Sequence, residues 1–243
     1  METAEKTSSA VDLTAVNGRL SRASAEDRIA WAAGEFAGAL VLSSSFGAQA
    51  AVMLGLVAHV APGTPVVFID TGYLFPETCR FADELTSRLG LNLRVYRPAL
   101  SPVWIEARHG RLWEQGIEGL DAYNRIVKVE PMHRALAELG ARAWMAGLRR
   151  GQATTRESLP IVGVQDGRIK VHPIVDWTDR DVHKYLEKNN LPYHPLWNQG
   201  YVSIGDVHTS RPVTAELDSE SSRFFGLKRE CGLHEERIDG SGI

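Results

Sequence analysis

Ala39-Leu40-Val41-Leu42, followed at once by Ser43-Ser44-Ser45-Phe46-Gly47-Ala48-Gln49 and then by the apolar run Ala50–Val60, is the stretch on which the fold of this chain turns. A short apolar run closed by a turn reads as a buried strand, and the longer run beyond it reads as a buried helix. Strand, small-residue loop and helix make the opening unit of a doubly wound α/β domain. Working outward, the alternation continues. Upstream, Ser24 can cap a helix with Asp27 three residues on and Ile29, Trp31, Ala32 and Phe36 as its apolar positions. Downstream, Pro65–Ile69 is a second strand ending in Asp70-Thr71-Gly72, and Pro76 opens a helix with Phe81, Leu85 and Leu89 on one face and Gly90 after it. Leu91–Tyr96 is a third strand, Val129–Leu139 a helix, and Ala143–Gly147 a fourth strand running into Leu148-Arg149-Arg150. Asp166-Gly167 favours a hairpin turn within Val162–Val175, and Thr178 caps a helix carrying Val182, Tyr185 and Leu186.

The predicted organisation is a loose, polar N-terminal arm over 1–22, a nucleotide-binding α/β domain with a mostly parallel sheet over 23–205, and a C-terminal arm over 206–243. That arm is rich in Gly, Ser and charge and is expected to be mobile. At 243 residues, 44% hydrophobic and 23% charged, the chain has ample material for one core. A net charge of −3 speaks against a nucleic-acid or membrane protein, so any basic site must be local. No apolar run is long enough to span a bilayer, and residues 1–20 lack the apolar segment of a signal peptide. Two cysteines, Cys79 and Cys231, form neither a disulfide framework nor a CxxC metal motif, and a reducing cytoplasmic setting is expected.

Ligands of such sheets sit beyond the carboxyl ends of the strands. Three polar strand ends qualify. Ser43, Ser44, Ser45 and Gly47 form a small-residue loop whose inward N–H groups and hydroxyls, with a helix start behind them, suit a phosphate or sulfate; a plain strand-to-helix turn is equally open. The loop is neither a Walker A nor a GxGxxG motif. Asp70 can accept hydrogen bonds from a ribose hydroxyl or an adenine amine and Gly72 allows close approach, although Asp-Thr-Gly also makes a good turn. Arg149, Arg150 and Arg156 follow a buried strand, with Lys128 upstream and Arg223 downstream. Arginine binds oxyanions through two N–H groups at once, whereas a solvated charged face is the bland alternative.

Lys228-Arg229-Glu230-Cys231-Gly232-Leu233-His234 is the other informative stretch. A structural cysteine sits among apolar neighbours. Cys231 is flanked instead by cations and a histidine, the surroundings that favour a thiolate. Cys79 lies off the Phe81/Leu85/Leu89 stripe, with no anion-loop residue beside it in sequence, and is read as non-catalytic. His133, His183 and His194 are read as structural, no pair having metal-ligand spacing.

On these motifs the chain resembles the phosphoadenylyl-sulfate (PAPS) reductases. The matching stretches are Ser43–Gln49, Asp70–Thr78, Lys128–Met132, Gly147–Gln152 with Arg156, Tyr193–Trp197 and Phe224–His234, so that likeness runs from about residue 25 to 235. The resemblance implies an adenine-nucleotide α-hydrolase-like fold related to ATP pyrophosphatases. Here the loop Ser44-Ser45 lacks the Asp those enzymes carry, which argues against ATP cleavage. The sister adenylyl-sulfate (APS) reductases resemble this chain but hold a [4Fe–4S] cluster through four cysteines, where this chain has Tyr123-Asn124-Arg125 and Asp206-Val207-His208. Four thiolates are required and two cysteines exist, so no iron–sulfur cluster is expected.

The resemblance further implies that the Cys231 thiolate attacks the sulfuryl sulfur, and that thioredoxin or glutaredoxin then releases sulfite. A homodimer is allowed for by family habit. A free thiol near pKa 8.5 beside a polyanion needs its pKa lowered by about 1.5 units, roughly 2 kcal/mol. Lys128, Arg223, Lys228, Arg229 and His234 are available for that, and Glu230 opposes it. Lys128 and Arg223 are expected to face the phosphosulfate, with the serine loop on the sulfate or phosphate. Competing readings are a cluster-free APS reductase, an ATP-consuming pyrophosphatase or sulfurtransferase, and a nucleotide-sensing module.

Overall fold

Strand β1 (Leu40–Ser43) sits near the middle of a six-stranded sheet because both of its faces are apolar, and the rest of the chain is wound around it. The structure, a computed structural model, describes residues 11–214, 222–228, 230, 232 and 233. In chain order the elements up to the third strand are helix α1 (Leu13–Leu20), α2 (Ala25–Glu35), β1, α3 (Ala51–Val60), β2 (Pro65–Ile69), α4 (Pro76–Leu89) and β3 (Asn92–Tyr96). Then come α5 (Pro102–His109), α6 (Gly116–Asn124), α7 (Glu130–Glu138), β4 (Ala143–Ala146), β5 (Val162–Gln165), β6 (Arg168–Val171) and α8 (Asp179–Lys188). The strand order is β3-β2-β1-β4-β6-β5, parallel throughout except for the β5–β6 hairpin. Asp166 and Gly167, both at positive φ, close that hairpin as the Asp-Gly dipeptide predicts.

Alternation within the central strands separates two cores. Leu42 and Met145, paired in register, point to the face covered by α2, α3, α4 and α8. Val41 and Trp144, the pair before them, point to the opposite face and meet Met132, Ala135 and Leu136 of α7. Helix α3 is buried from Ala51 to Val57, packed against α2, α4 and α8 as well as the sheet, which accounts for a helix that is apolar all round. The expected caps are in place. Ser24 with Asp27 and Thr178 with Asp181 form reciprocal capping boxes, and Gly90 ends α4 in the left-handed region.

Two expectations are corrected, and one stretch left unassigned from sequence takes shape. Residues 13–20 are not part of a loose arm. They form α1, capped by Asp12, with Leu20 buried and Asn17 bonded to both the N–H and the carbonyl of Val162. The 97–127 region, unassigned from sequence, supplies α5 and α6, and a third cluster of Ile105, Leu112, Trp113, Leu120, Tyr123 and Val127 closes around Phe224. The boundary at 205/206 crosses no break either, since Asp206 is wholly buried and bridges to Leu74.

Between α6 and α7 the helix continues through a π turn, Arg125–Val129, in which the N–H of Glu130 reaches back to the carbonyl of Arg125. Pro131 lacks an N–H, so the regular ladder cannot pass it, and a widened turn absorbs the defect. Lys128 is presented from this turn.

Candidate active site

A cavity of about 460 Å³ opens beyond the carboxyl ends of β1 and β4, the point where the strand order reverses. Ser43, Ser44, Ser45 and Gly47 line it from β1, and Gly147, Leu148, Arg149 and Arg156 line it from the β4 side. Phe46 holds the serine loop in shape. Its side chain is fully buried edge-on to Phe68 at 4.9 Å, and its backbone takes φ +49°. Its N–H donates to Ser44 Oγ at 3.1 Å, while Ser43 Oγ accepts from Trp144 Nε1 at 2.6 Å. The anchored aromatic turns the small residues toward the cavity, and α3 starts just behind them.

The cations are more engaged than their sequence suggests. Arg149 is 4% exposed and spans the site as a strut, donating to Gln49 Oε1 at 2.5 Å, Asp179 Oδ1 at 2.8 Å and the Trp177 carbonyl at 3.3 Å. The hydrogen bond from Arg149 holds the Asp179 carboxyl below its usual range. Arg156 donates to both oxygens of Glu230 and to Gln152 Oε1, each at 2.7 Å. Lys128 Nζ lies 2.6 Å from Asp206 Oδ2. Burial would raise the Asp206 pKa, but the ammonium of Lys128, with the Thr71 and Tyr123 hydroxyls, outweighs it and holds the group at about 2. Arg223 lies over the Phe224 ring, donates to Ser203 Oγ at 3.3 Å and packs against Gly205.

Asp70 and Gly72 are not brought to the cavity. Asp70 pairs with Arg97 at 2.7 Å, from the end of the neighbouring strand, and accepts the N–H of Gly72 at 3.0 Å. Gly72 takes φ +80° with Pro102 packed where a Cβ would stand. The residue between them, Thr71, lines the cavity instead. Lys228 pairs with Asp121 at 2.5 Å and does not line the cavity.

Cys231, Arg229 and His234 lie outside the described residues. Glu230 and Leu233 do line the cavity, and the Leu233 carbonyl accepts from Gln165 Nε2 at 2.8 Å. Cys79 sits exposed on α4, away from the cavity, and partial burial together with Asp70 and Asp83 raises its pKa. Burial lowers His194 to about 4; its Nδ1 accepts the N–H of Leu196 and its Nε2 meets Thr78 Oγ1 at 3.0 Å. His133 faces Asp166 and His183 faces Tyr193. Among the described residues, no three His, Cys, Asp or Glu side chains converge as a metal site requires, and no helix is long and apolar enough to cross a membrane.

Sequence reasoning missed Asp206 and Asp179 and misjudged Glu230. Each is the partner of a cation that was noticed, but the partners stand 78, 30 and 74 positions away, beyond any local signal.

Residues 39–212 match the phosphoadenosine phosphosulfate reductase domain. The chain is 62% identical over 224 residues to the phosphoadenosine 5'-phosphosulfate reductase of Alkalilimnicola ehrlichii, covering 92% of this chain and 91% of that one. It is 57% identical over 231 residues to the protein of the same name from Cronobacter sakazakii, with 95% of each covered. Among solved structures, the PAPS reductase of Candida auris in a phosphate complex superposes with a TM-score of 0.73 at 31% identity, over 84% of this chain and 98% of that one. FMN adenylyltransferase of Candida glabrata superposes at TM-score 0.58 and 15% identity, over 96% and 81%, a likeness of fold alone.

Proposed function

Because the chain belongs to the phosphoadenosine phosphosulfate reductase family, we propose that the cavity beyond β1 and β4 is where 3'-phosphoadenylyl sulfate is reduced to sulfite and adenosine 3',5'-bisphosphate, with Cys231 as the nucleophile. The observation that carries this reading is the composition of one cavity wall. The serine loop, Lys128 and Arg223 face the same space that Glu230 and Leu233, close neighbours of Cys231 in the chain, close from the tail side.

The Cys231 thiolate attacks the sulfuryl sulfur. A sulfur–sulfur bond forms, the bond from sulfur to the bridging phosphate oxygen breaks, and the electron pair leaves on adenosine 3',5'-bisphosphate. The cysteine S-sulfonate is then attacked at the cysteine sulfur by one thiolate of a reduced dithiol protein, thioredoxin or glutaredoxin, and sulfite departs. The donor's second thiol resolves the mixed disulfide, so two electrons and two thiol protons are accounted for and the donor ends as a disulfide. Lys128 and Arg223 offset charge on the sulfuryl and phosphate oxygens, and the N–H groups and hydroxyls of the serine loop hold an oxyanion. Two cysteines are too few for the four-thiolate cluster of the sister APS reductases. The stretches at the corresponding places, Tyr123-Asn124-Arg125 and Asp206-Val207-His208, meet each other around Lys128, with Tyr123 and His208 ring centroids 5.1 Å apart. A cytoplasmic setting fits a mechanism that needs a reduced thiol donor.

Replacing Cys231 by Ser tests the assignment. Sulfite release should fall to background while adenosine 3',5'-bisphosphate binds within about threefold of the parent. Loss of binding, or an SO₃ adduct trapped on another residue, would count against Cys231. Turnover of adenylyl sulfate at a rate equal to that of the 3'-phosphorylated substrate would favour the APS reading.

A further inference from the structure

Lys128 is a cavity cation with tightly built surroundings. Its Nζ lies 2.6 Å from Asp206 Oδ2 and 3.3 Å from Asn124 Oδ1, and it stands over the Tyr123 and Phe224 rings at 5.4 and 5.3 Å. Asp206 is itself fixed on all sides. It has no exposed surface, its Oδ1 accepts the Thr71 hydroxyl at 2.5 Å, and its segment is tied down by the bridge to Leu74 and by the Val207 N–H on the Tyr73 carbonyl at 2.9 Å. The contrast with Arg149 is informative, because its partner Asp179 has a side chain that is 82% exposed and is free to turn into solvent. Asp206 has nowhere to turn.

A carboxylate lining a cavity for a polyanion opposes ground-state binding. Its presence there needs a reason other than affinity. A lysine is a point charge on a flexible four-carbon stem, so its value to a developing charge depends on being held in place beforehand. We propose that Asp206 is a positioning residue for the reduction: through its contact with Nζ it fixes the Lys128 ammonium at one point of the cavity wall, so that the cation meets the phosphosulfate as the sulfur–oxygen bond breaks. This rests on the reading of the cavity as a phosphosulfate site. An interaction organised for bond breaking acts on kcat, whereas removing a negative charge from the cavity leaves anion affinity unchanged or increases it.

The test is a kinetic split combined with a double-mutant cycle. Asp206→Asn keeps the shape and removes the charge. Sulfite release should show kcat reduced at least tenfold, with KM for the nucleotide unchanged within threefold or lowered. Asp206→Glu retains the charge at a displaced position and should recover part of kcat. On a Lys128→Met background, adding Asp206→Asn should cost less than twofold further, since Asp206 acts only through Lys128. Calorimetric binding of adenosine 3',5'-bisphosphate and a thermal melt accompany each variant. Asp206→Asn with kcat within twofold of the parent would overturn the proposal, as would a full tenfold loss on the Lys128→Met background. Parallel losses of melting temperature, affinity and kcat would mark Asp206 as merely structural and overturn it too. If the unsubstituted chain releases no sulfite from the nucleotide, the proposed function fails instead, an outcome the parent control separates from these.

Discussion

Glu230 grips Arg156 with both of its carboxylate oxygens, Nε lying 2.7 Å from Oε1 and Nη2 2.7 Å from Oε2. The Thr155 hydroxyl donates to the same Oε1 at 3.0 Å. Sequence alone casts Glu230 as a charge that opposes a neighbouring thiolate and Arg156 as a ligand for the substrate. A fork-to-fork pair gives both a different task, because a carboxylate held by a guanidinium repels a neighbouring anion far less than a free one. Arg156 belongs to the loop after β4 and Glu230 directly precedes Cys231, so the pair ties the tail to the cavity wall.

Breaking that tie should therefore cost turnover more than affinity. Glu230→Ala and Arg156→Ala are each expected to lower kcat for sulfite release about tenfold, roughly 1.4 kcal/mol of lost positioning, with nucleotide affinity within threefold. The charge-reversed pair Glu230→Arg/Arg156→Glu should regain part of the loss. Steady-state kinetics and calorimetry on the three variants decide it. If Arg156→Ala weakened nucleotide binding tenfold at unchanged kcat, Arg156 would be a substrate ligand and the clamp would be wrong.

Gly205 offers a way to move Arg223 without touching it. A Cβ on residue 205 would come within the reach of the Arg223 guanidinium, 2.8 Å from Cζ, and the three atoms nearest to it all belong to that flexible side chain. Gly205→Ala should displace that guanidinium from Ser203 and from its stacking on Phe224. The melting temperature should stay within about 2 °C, a change expected of under 1 kcal/mol, while KM for the nucleotide rises about tenfold. An unchanged KM would show that Arg223 does not contact the substrate.

What was legible in the chain was local. The strand-loop-helix unit at 39–60, the capping boxes at Ser24 and Thr178, Gly90 after α4 and the Asp-Gly hairpin all depend on residues within a few positions of each other. Helices α5 and α6 were not legible because eight or nine residues form no stable helix alone. They are held by Ile105, Trp113 and Tyr123 closing on Phe224, which arrives from the other end of the chain. The same limit hid Asp206, whose partner Lys128 is far away in sequence. Asp70 stands outside the cavity for a related reason. Its strand end was correctly placed, but the parallel register of β2 and β3 set Arg97 beside it, and the pair satisfies the carboxylate away from the cavity.

Three histidines make the stability of the fold depend on pH on the acid side. His172, His194 and His208 are each lowered to about 4 by burial. In the unfolded chain they take up protons near pH 6.5, so between about 6.5 and 4 the unfolded state binds protons that the folded state refuses. Their contribution to stability is complete above that window and is lost as pH falls through it. Asp206, held at about 2, adds to this slope only as the pH falls below about 4, where the unfolded carboxylate takes up its proton. Urea unfolding at pH 7.0, 5.5 and 4.5 should give a steadily falling midpoint, with a linkage slope approaching three protons. A midpoint independent of pH over that range would mean that the histidines are already solvated.

Two helical glycines should respond to the same substitution with opposite signs. Alanine is favoured over glycine in a helix by about 1 kcal/mol, so Gly→Ala stabilises wherever there is room. Gly34, in α2, has nothing within 4 Å of the point where an alanine methyl would stand, and Gly34→Ala should raise the unfolding free energy by about 0.5–1 kcal/mol. Gly119, in α6, has no such room: a Cβ there would lie 2.6 Å from Gln115 Cβ, and the Leu112 carbonyl oxygen is nearer still. A backbone carbonyl cannot rotate out of the way as a side chain does. The turn Leu112–Glu114 would have to shift, carrying Leu112 and Trp113 out of the cluster that packs against Phe224 behind Lys128. Overpacking of this kind costs about 1–3 kcal/mol, which exceeds the propensity gain. Gly119→Ala should therefore lower the melting temperature while Gly34→Ala raises it. Equal shifts of the two would mean that α6 yields freely and that the third cluster does not hold Lys128 in place.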